Sequence, residues 1–283
     1  MERPQSLQTL PRWRDIGAGL GYFGVYLGVQ ILVSISYTLI ISIRVMLEQG
    51  IQNVGTLLLA IDLRIRESAL GLTSLVNAVT LGVFALIFFL RKKNPLGEVR
   101  LVPATVRSLL PLVPLGLALN VFVSSLLSLL PPQWLETYQA ASSMALGSGM
   151  DLFTLLMIAL LAPFTEEVLF RGLVYTRFSR ALPRWLAIAL SALLFGLMHG
   201  QPVWVAYTAF LGVALCLAMD RYGSLWGAVA LHMAFNAGSL LVALLGQVHL
   251  PLLLLGSGLA CWALTAYIRL HVPGNGAGGR PVP

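Results

Sequence analysis

Long apolar runs, broken by short clusters of charge, proline and glycine, set the pattern of this chain. A helix needs about 20 apolar residues to cross the hydrocarbon core of a bilayer. Eight stretches meet or approach that length: 17–43, 70–90, 109–130, 152–175, 184–201, 203–220, 225–246 and 250–270. The pattern predicts an all-α, polytopic integral membrane bundle of about eight transmembrane helices. The fifth and sixth runs are short and separated only around Gly200-Gln201-Pro202. Proline suits the first helical turn, so Pro202 is expected to start the sixth helix. Within residues 44–69, Leu57, Leu58, Ile61 and Ile65 recur at helical spacing among charges, the pattern of an interfacial or re-entrant helix. Pro273 to Pro283 is rich in proline and glycine and predicts a disordered tail.

The basic residues orient this layout. With the N-terminus inside, the inner loops hold fifteen of the 18 lysines and arginines, and the outer loops only Arg44, Arg64 and Arg66. That bias predicts N-in, C-in and an even number of spans. Residues 1–16 are polar, and the run after them is too long for the core of a signal peptide, so an uncleaved first span is expected. Trp13, Trp134, Trp185, Trp226, Tyr175, Tyr222 and Tyr267 fall at or near run ends, where interfacial anchoring accounts for them.

Composition narrows the class. Apolar residues make up 58% of the 283 and charged residues 10%, against about 25% charged in a soluble domain. The net charge of +7 is therefore read as loop bias rather than as a nucleic-acid surface. Cys216 and Cys261 sit inside apolar runs and form neither a disulfide framework nor a CxxC metal pair. They are expected to be small buried hydrophobes.

Against this background, Glu166-Glu167-Val168-Leu169-Phe170-Arg171 in the fourth run is costly. Each carboxylate at a helix centre costs roughly 2.5–3.5 kcal/mol on insertion scales. Glu167 and Arg171 are spaced i,i+4 and share a helical face. Glu166 points about 100° away, without a cation nearby in sequence. Two later runs carry one histidine each. Phe195 and His199 are i,i+4 in Phe195-Gly196-Leu197-Met198-His199, and His232 and Asn236 are i,i+4 in His232-Met233-Ala234-Phe235-Asn236. Counting inward from the basic loops at a rise of ~1.5 Å per residue, these groups reach comparable depths. Nothing in the layout keeps Glu166, His199, His232 and Asn236 from meeting at one level.

In order on successive membrane segments, the three motifs EExxxR, FxxxH and HxxxN resemble those of the CPBP intramembrane proteases. That family includes the type II CAAX prenyl endopeptidases and bacteriocin-processing relatives. The resemblance covers roughly residues 150–245, and Asn236 resembles the prenyl-endopeptidase branch. It implies an intramembrane endopeptidase acting on a membrane-associated or lipidated peptide or protein. Glu166 is then the general base on water, His199 orients that water, and His232 with Asn236 stabilises the oxyanion. Glu167, Arg171 and Phe195 are supporting residues, and Gly196 is expected to let a neighbouring helix approach closely.

The implied organisation is a cytoplasmic segment 1–16, helices and loops over 17–150, a catalytic core 151–246, a last helix 247–272 and the tail 273–283. No cofactor is favoured, but zinc stays open, because Glu166, His199 and His232 are a chemically sensible ligand set. Two other readings remain: a proton-coupled transporter, since intramembrane acids and histidines also build proton relays, and a non-catalytic binding or immunity protein of the same fold.

Overall fold

The computed structural model describes residues 13–49, 53–146, 156–245 and 250–272. Residues 1–12, the tail expected over 273–283 and the start of the fourth expected span lie outside them. Among the described residues all regular structure is helical. This is what lipid demands, because a helix satisfies its backbone polar groups internally.

The principal helices are α1 (Trp13–Gln49), α2 (Val54–Glu67), α3 (Ala69–Leu90), α4 (Leu112–Leu127) and α5 (Pro132–Leu146). They are followed by α6 (157–181), α7 (Arg184–Leu197), α8 (Pro202–Tyr222), α9 (Leu225–Leu245) and α10 (Leu250–His271). Pro202 does open α8, where the Gln201 side chain caps it by accepting from Trp204 N at 2.9 Å. Gly223, at φ 64°, ends α8 in the left-handed region.

Among the described residues, five segments are long and apolar enough to cross a bilayer: Trp13–Glu48, Ala69–Leu90, Val106–Leu127, Pro202–Tyr222 and Leu250–His271. They make the chain a multi-pass integral membrane protein. The expected seventh span, 225–246, is the 21-residue α9, and the fourth begins outside the described residues, so these five do not fix the number of spans. The fifth expected span, 184–201, is α7, whose 14 residues rise only about 21 Å against a core of about 30 Å. In contrast, the 37 residues of α1 extend about 56 Å. The expected helix within 44–69 is α2, which has no buried residue. Its half-exposed positions Leu57, Ile61 and Ile65 lie on one face, with Leu58 exposed. α5 was not expected at all.

α6 is the centre of the bundle, contacted by α1, α3, α7, α8 and α9. Its winding alternates: a π turn over Met157–Leu161, an α segment over Ala162–Glu167, a second π segment over Val168–Tyr175, then α again. All eight residues of the second π segment are buried. Side chains take up its carbonyls: Thr176 Oγ1 donates to Arg171 O at 2.9 Å, Arg177 Nη1 to Leu173 O at 3.1 Å, and Ser191 Oγ of α7 to Phe170 O at 3.0 Å. Arg177 also donates to Glu98 Oε2 at 2.6 Å and lies over the Tyr22 ring, tying α6 to α1 and to the turn before α4. Arg221 donates to the last carbonyls of α10, at Ile268, Arg269 and Val272, which fixes α10 to the end of α8.

The anchoring tryptophans Trp13, Trp134 and Trp185 are exposed, as is Tyr267. Tyr175 corrects that expectation. It is 1% exposed, and its hydroxyl donates to the Asp220 carboxylate, which also accepts from Arg184 Nε at 2.9 Å. Its place near a run end reflects a bond between α6 and α8 instead. Both cysteines are free; Cys216 is buried and Cys261 half-buried.

Candidate functional site

Glu166 and Glu167 leave α6 on different sides and meet different surroundings. Glu167 is fully buried, and its Oε1 accepts from Arg171 Nη1 at 3.0 Å and from His232 Nδ1 at 2.8 Å. The local i,i+4 pair expected from spacing is therefore present, with a third member from α9 that spacing within α6 could not show. Glu166 keeps about a quarter of its side chain exposed, and its Oε2 lies 3.8 Å from His232 Nε2. His232, 3% exposed, presents one ring nitrogen to each glutamate.

The geometry assigns the ring's proton. An ionised carboxylate only accepts, so Nδ1 donates to Glu167 and Nε2 is aimed toward Glu166. At 3.8 Å the second approach is longer than a hydrogen bond, so the two groups are neighbours across a gap.

Phe195 of α7 organises the opposite wall. Its ring carries the Arg171 guanidinium on one face, 4.3 Å from the centroid. His199 packs against it at 5.0 Å and His232 at 5.7 Å, both near perpendicular, and Phe170 at 5.2 Å. His199 Nδ1 is 3.0 Å from Phe195 O, which holds the half-buried ring one turn beyond the phenylalanine. Both histidines thus touch one aromatic ring, although His199 lies in the turn after α7 and His232 on α9, with α8 between them in sequence. Asn236 sits one turn along α9 from His232 and is half-buried.

Close helix approaches hold this arrangement. A Cβ on Gly196 would lie 2.7 Å from Val205 O, so α7 and α8 touch backbone to backbone, as its place in the motif suggested. A Cβ on Gly212 would lie 2.9 Å from Ala192 Cα and 3.2 Å from Arg171 Nη2. This absence of a side chain lets Arg171 Nη2 donate to Gly212 O at 3.2 Å. Among the described residues, Glu167 Oε2 and Arg171 Nε make no hydrogen bond, so the ion pair is held through one oxygen rather than as a fork.

Sequence reading missed two phenols. Tyr26 of α1 lies one turn beyond Phe23, whose ring meets Phe170 of α6 at 6.0 Å, and Tyr207 of α8 lies five residues before Gly212, whose carbonyl binds Arg171. Neither belongs to a motif, so the only signal was a polar tip inside an apolar run.

Zinc was the open alternative. With each Nδ1 engaged, the remaining donors are the two Nε2 atoms and the Glu166 carboxylate. Among the described residues, no three His, Cys, Asp or Glu side chains are grouped to hold a metal ion.

Residues 148–238 match the Type II CAAX prenyl endopeptidase Rce1-like family. A stretch of 85 residues is 31% identical to UPF0177 protein YbdI of Lactococcus lactis subsp. lactis (strain IL1403), covering 30% of this chain and 45% of that protein. The chain therefore spans less than half the length of that relative. No solved structure matches. The family segment holds Glu166, Glu167, Arg171, Phe195, His199, His232 and Asn236, so the resemblance first carried by three short motifs extends over α6 to α9: through residues 148–238, this membrane protein is similar to the Rce1-like type II CAAX prenyl endopeptidases.

Proposed function

We propose that the protein is an intramembrane endopeptidase that hydrolyses a peptide bond in a membrane-associated or lipidated substrate, with Glu166 as general base. The observation that carries this reading is the division of labour between adjacent glutamates. Glu167 is consumed by Arg171 and His232, whereas Glu166 is partly exposed and faces the second ring nitrogen of the same histidine. A carboxylate with room for water beside a positioned imidazole is equipped for proton transfer.

In this mechanism Glu166 takes a proton from water as the hydroxyl oxygen attacks the carbonyl carbon. The carbonyl oxygen becomes an oxyanion, which His232 Nε2–H and the Asn236 amide stabilise. Nδ1 already donates to Glu167, so Nε2 donates only when the ring is an imidazolium. Before attack, Glu166 and Glu167 place one carboxylate on each side of that cation; once Glu166 has taken the proton from water, Glu167 and the oxyanion do so. His199 orients the water, and Glu166 passes its proton to the leaving amine as the C–N bond breaks. Glu167, Arg171 and Phe195 act through His232 and His199 as positioning residues. No step runs through a metal.

Comparison of protein termini in membranes carrying wild type or Glu166→Ala tests this proposal. It expects at least one terminus found only with wild type and unchanged by chelation. Identical termini in both membranes would sink the protease reading, while loss of that terminus on chelation alone would restore the metal reading. A proton-coupled transporter would instead lose pH-dependent flux in Glu166→Gln, with no peptide product in either form.

A further inference from the structure

The face of α8 that meets the core is buried at Thr208, Leu211, Leu215 and Met219. Trp204 precedes Thr208 by one turn and Tyr207 precedes Leu211 by one turn, so both continue that face. Both are nonetheless only half-buried, so the packing opens at their level. The opening differs from the lipid side of the helix, which carries the exposed Ala206 and Phe210. α6 and α8 run side by side in one direction, joined at Tyr175–Asp220 and at Arg171–Gly212 O, so Tyr207, five residues before Gly212, stands at the level of Glu166, five before Arg171.

α5 covers this opening. It packs against α3 and α8. In its first nine residues only Leu135 and Tyr138 turn inward, and the rest are exposed. Tyr138 meets Trp204 and Tyr207 edge-on, with ring centroids 6.3 Å apart in each case and interplanar angles of 86° and 80°. Three half-buried rings from two helices are therefore gathered at the level of the glutamate.

We propose that Tyr138, Trp204 and Tyr207 form a substrate subsite beside Glu166 that takes a large apolar side chain next to the peptide bond being cut. This rests on the proteolytic reading above. Aromatic rings give a large apolar contact area with few rotatable bonds, and the phenols offer hydrogen bonds to an extended peptide backbone. A small side chain would leave the rings without contact, and selection by apolar bulk in such a pocket spans roughly 10- to 200-fold.

The test uses the full chain in proteoliposomes and a peptide library made by digesting a soluble proteome, with cleavage sites read by mass spectrometry. A parallel arm measures capture of the same peptides by Glu166→Gln protein, with and without Trp204→Ala. Wild-type sites are expected to share a Leu, Met, Phe or Trp at one fixed position. Trp204→Ala and Tyr138→Ala are expected to weaken that preference about tenfold while small-residue sites persist, a selective change that general loss of structure would not produce. An unchanged preference in both variants, or no preference in wild type, overturns the subsite. If wild type cleaves nothing but capture shows a Trp204-dependent apolar preference, the subsite stands and the protease reading falls. If capture shows no such preference, the subsite falls whatever the cleavage result.

Discussion

α1 and α6 are opposite solutions to life in a membrane. The most apolar window of Trp13–Glu48 has none of its residues buried within the protein. α6 carries two glutamates and three arginines, yet Glu167 and Arg171 are fully buried and all of Val168–Tyr175 is enclosed. The helix with the least buried apolar stretch lies at the edge and the charged one at the centre. Hydropathy therefore reports which segments can face lipid, and misplaced charge reports where the protein has an inside. The price of burying Arg171 is met locally by Glu167, Gly212 O and the Phe195 face, and the same contacts leave Glu166 as the partly exposed acid.

The contrast can be broken at graded strengths. Arg171→Met leaves Glu167 buried beside His232 without its cation; removal of one partner of a buried pair costs about 3–5 kcal/mol. A large drop in the thermal midpoint in detergent is expected, partly restored by adding Glu167→Gln. An unshifted midpoint would show that the pair is not structurally coupled. His232→Ala is expected to reduce kcat about 10²–10³-fold with a smaller change in KM, the usual cost of losing one oxyanion donor; wild-type kcat would remove His232 from the mechanism. Gly212→Ala presses a methyl group onto Ala192 and Arg171 and is expected to cost about 1–3 kcal/mol, read from the same melting curves. On α1, Leu39→Ala at an exposed position is expected to change stability by less than about 0.5 kcal/mol. A cost equal to that of Gly212→Ala would erase the distinction between the two helices.

Much of the site could be read from spacing, because all its residues but His199, in the turn just past α7, lie on helices and i,i+4 geometry is local. Glu167 with Arg171, Phe195 with His199, and the start of α8 at Pro202 are all relations within a few residues. What could not be read is what joins them. The bond from His232 to Glu167 connects residues 65 positions apart. The π winding of α6 depends on the contacts around it: Thr176 and Arg177 satisfy its carbonyls from within, and Ser191 does so from α7. α7 read as a full span because apolar residues continue past Leu197, whereas the backbone turns at 198–201 to reach the α8 cap. α5 was missed because, among its described side chains, only Leu135, Tyr138 and Ser142 turn inward, too narrow a stripe to stand out.

The central claim is that Glu166 activates water inside the membrane bundle. The direct measurement is cleavage in H₂¹⁸O by purified wild-type and Glu166→Gln proteins in proteoliposomes, with ¹⁸O in the new carboxyl terminus as the readout and melting curves as the control for folding. The account predicts ¹⁸O-labelled product from wild type, a loss of about 10²–10⁴-fold in Glu166→Gln and equal midpoints. Labelled product at the wild-type rate from a folded Glu166→Gln protein would contradict it.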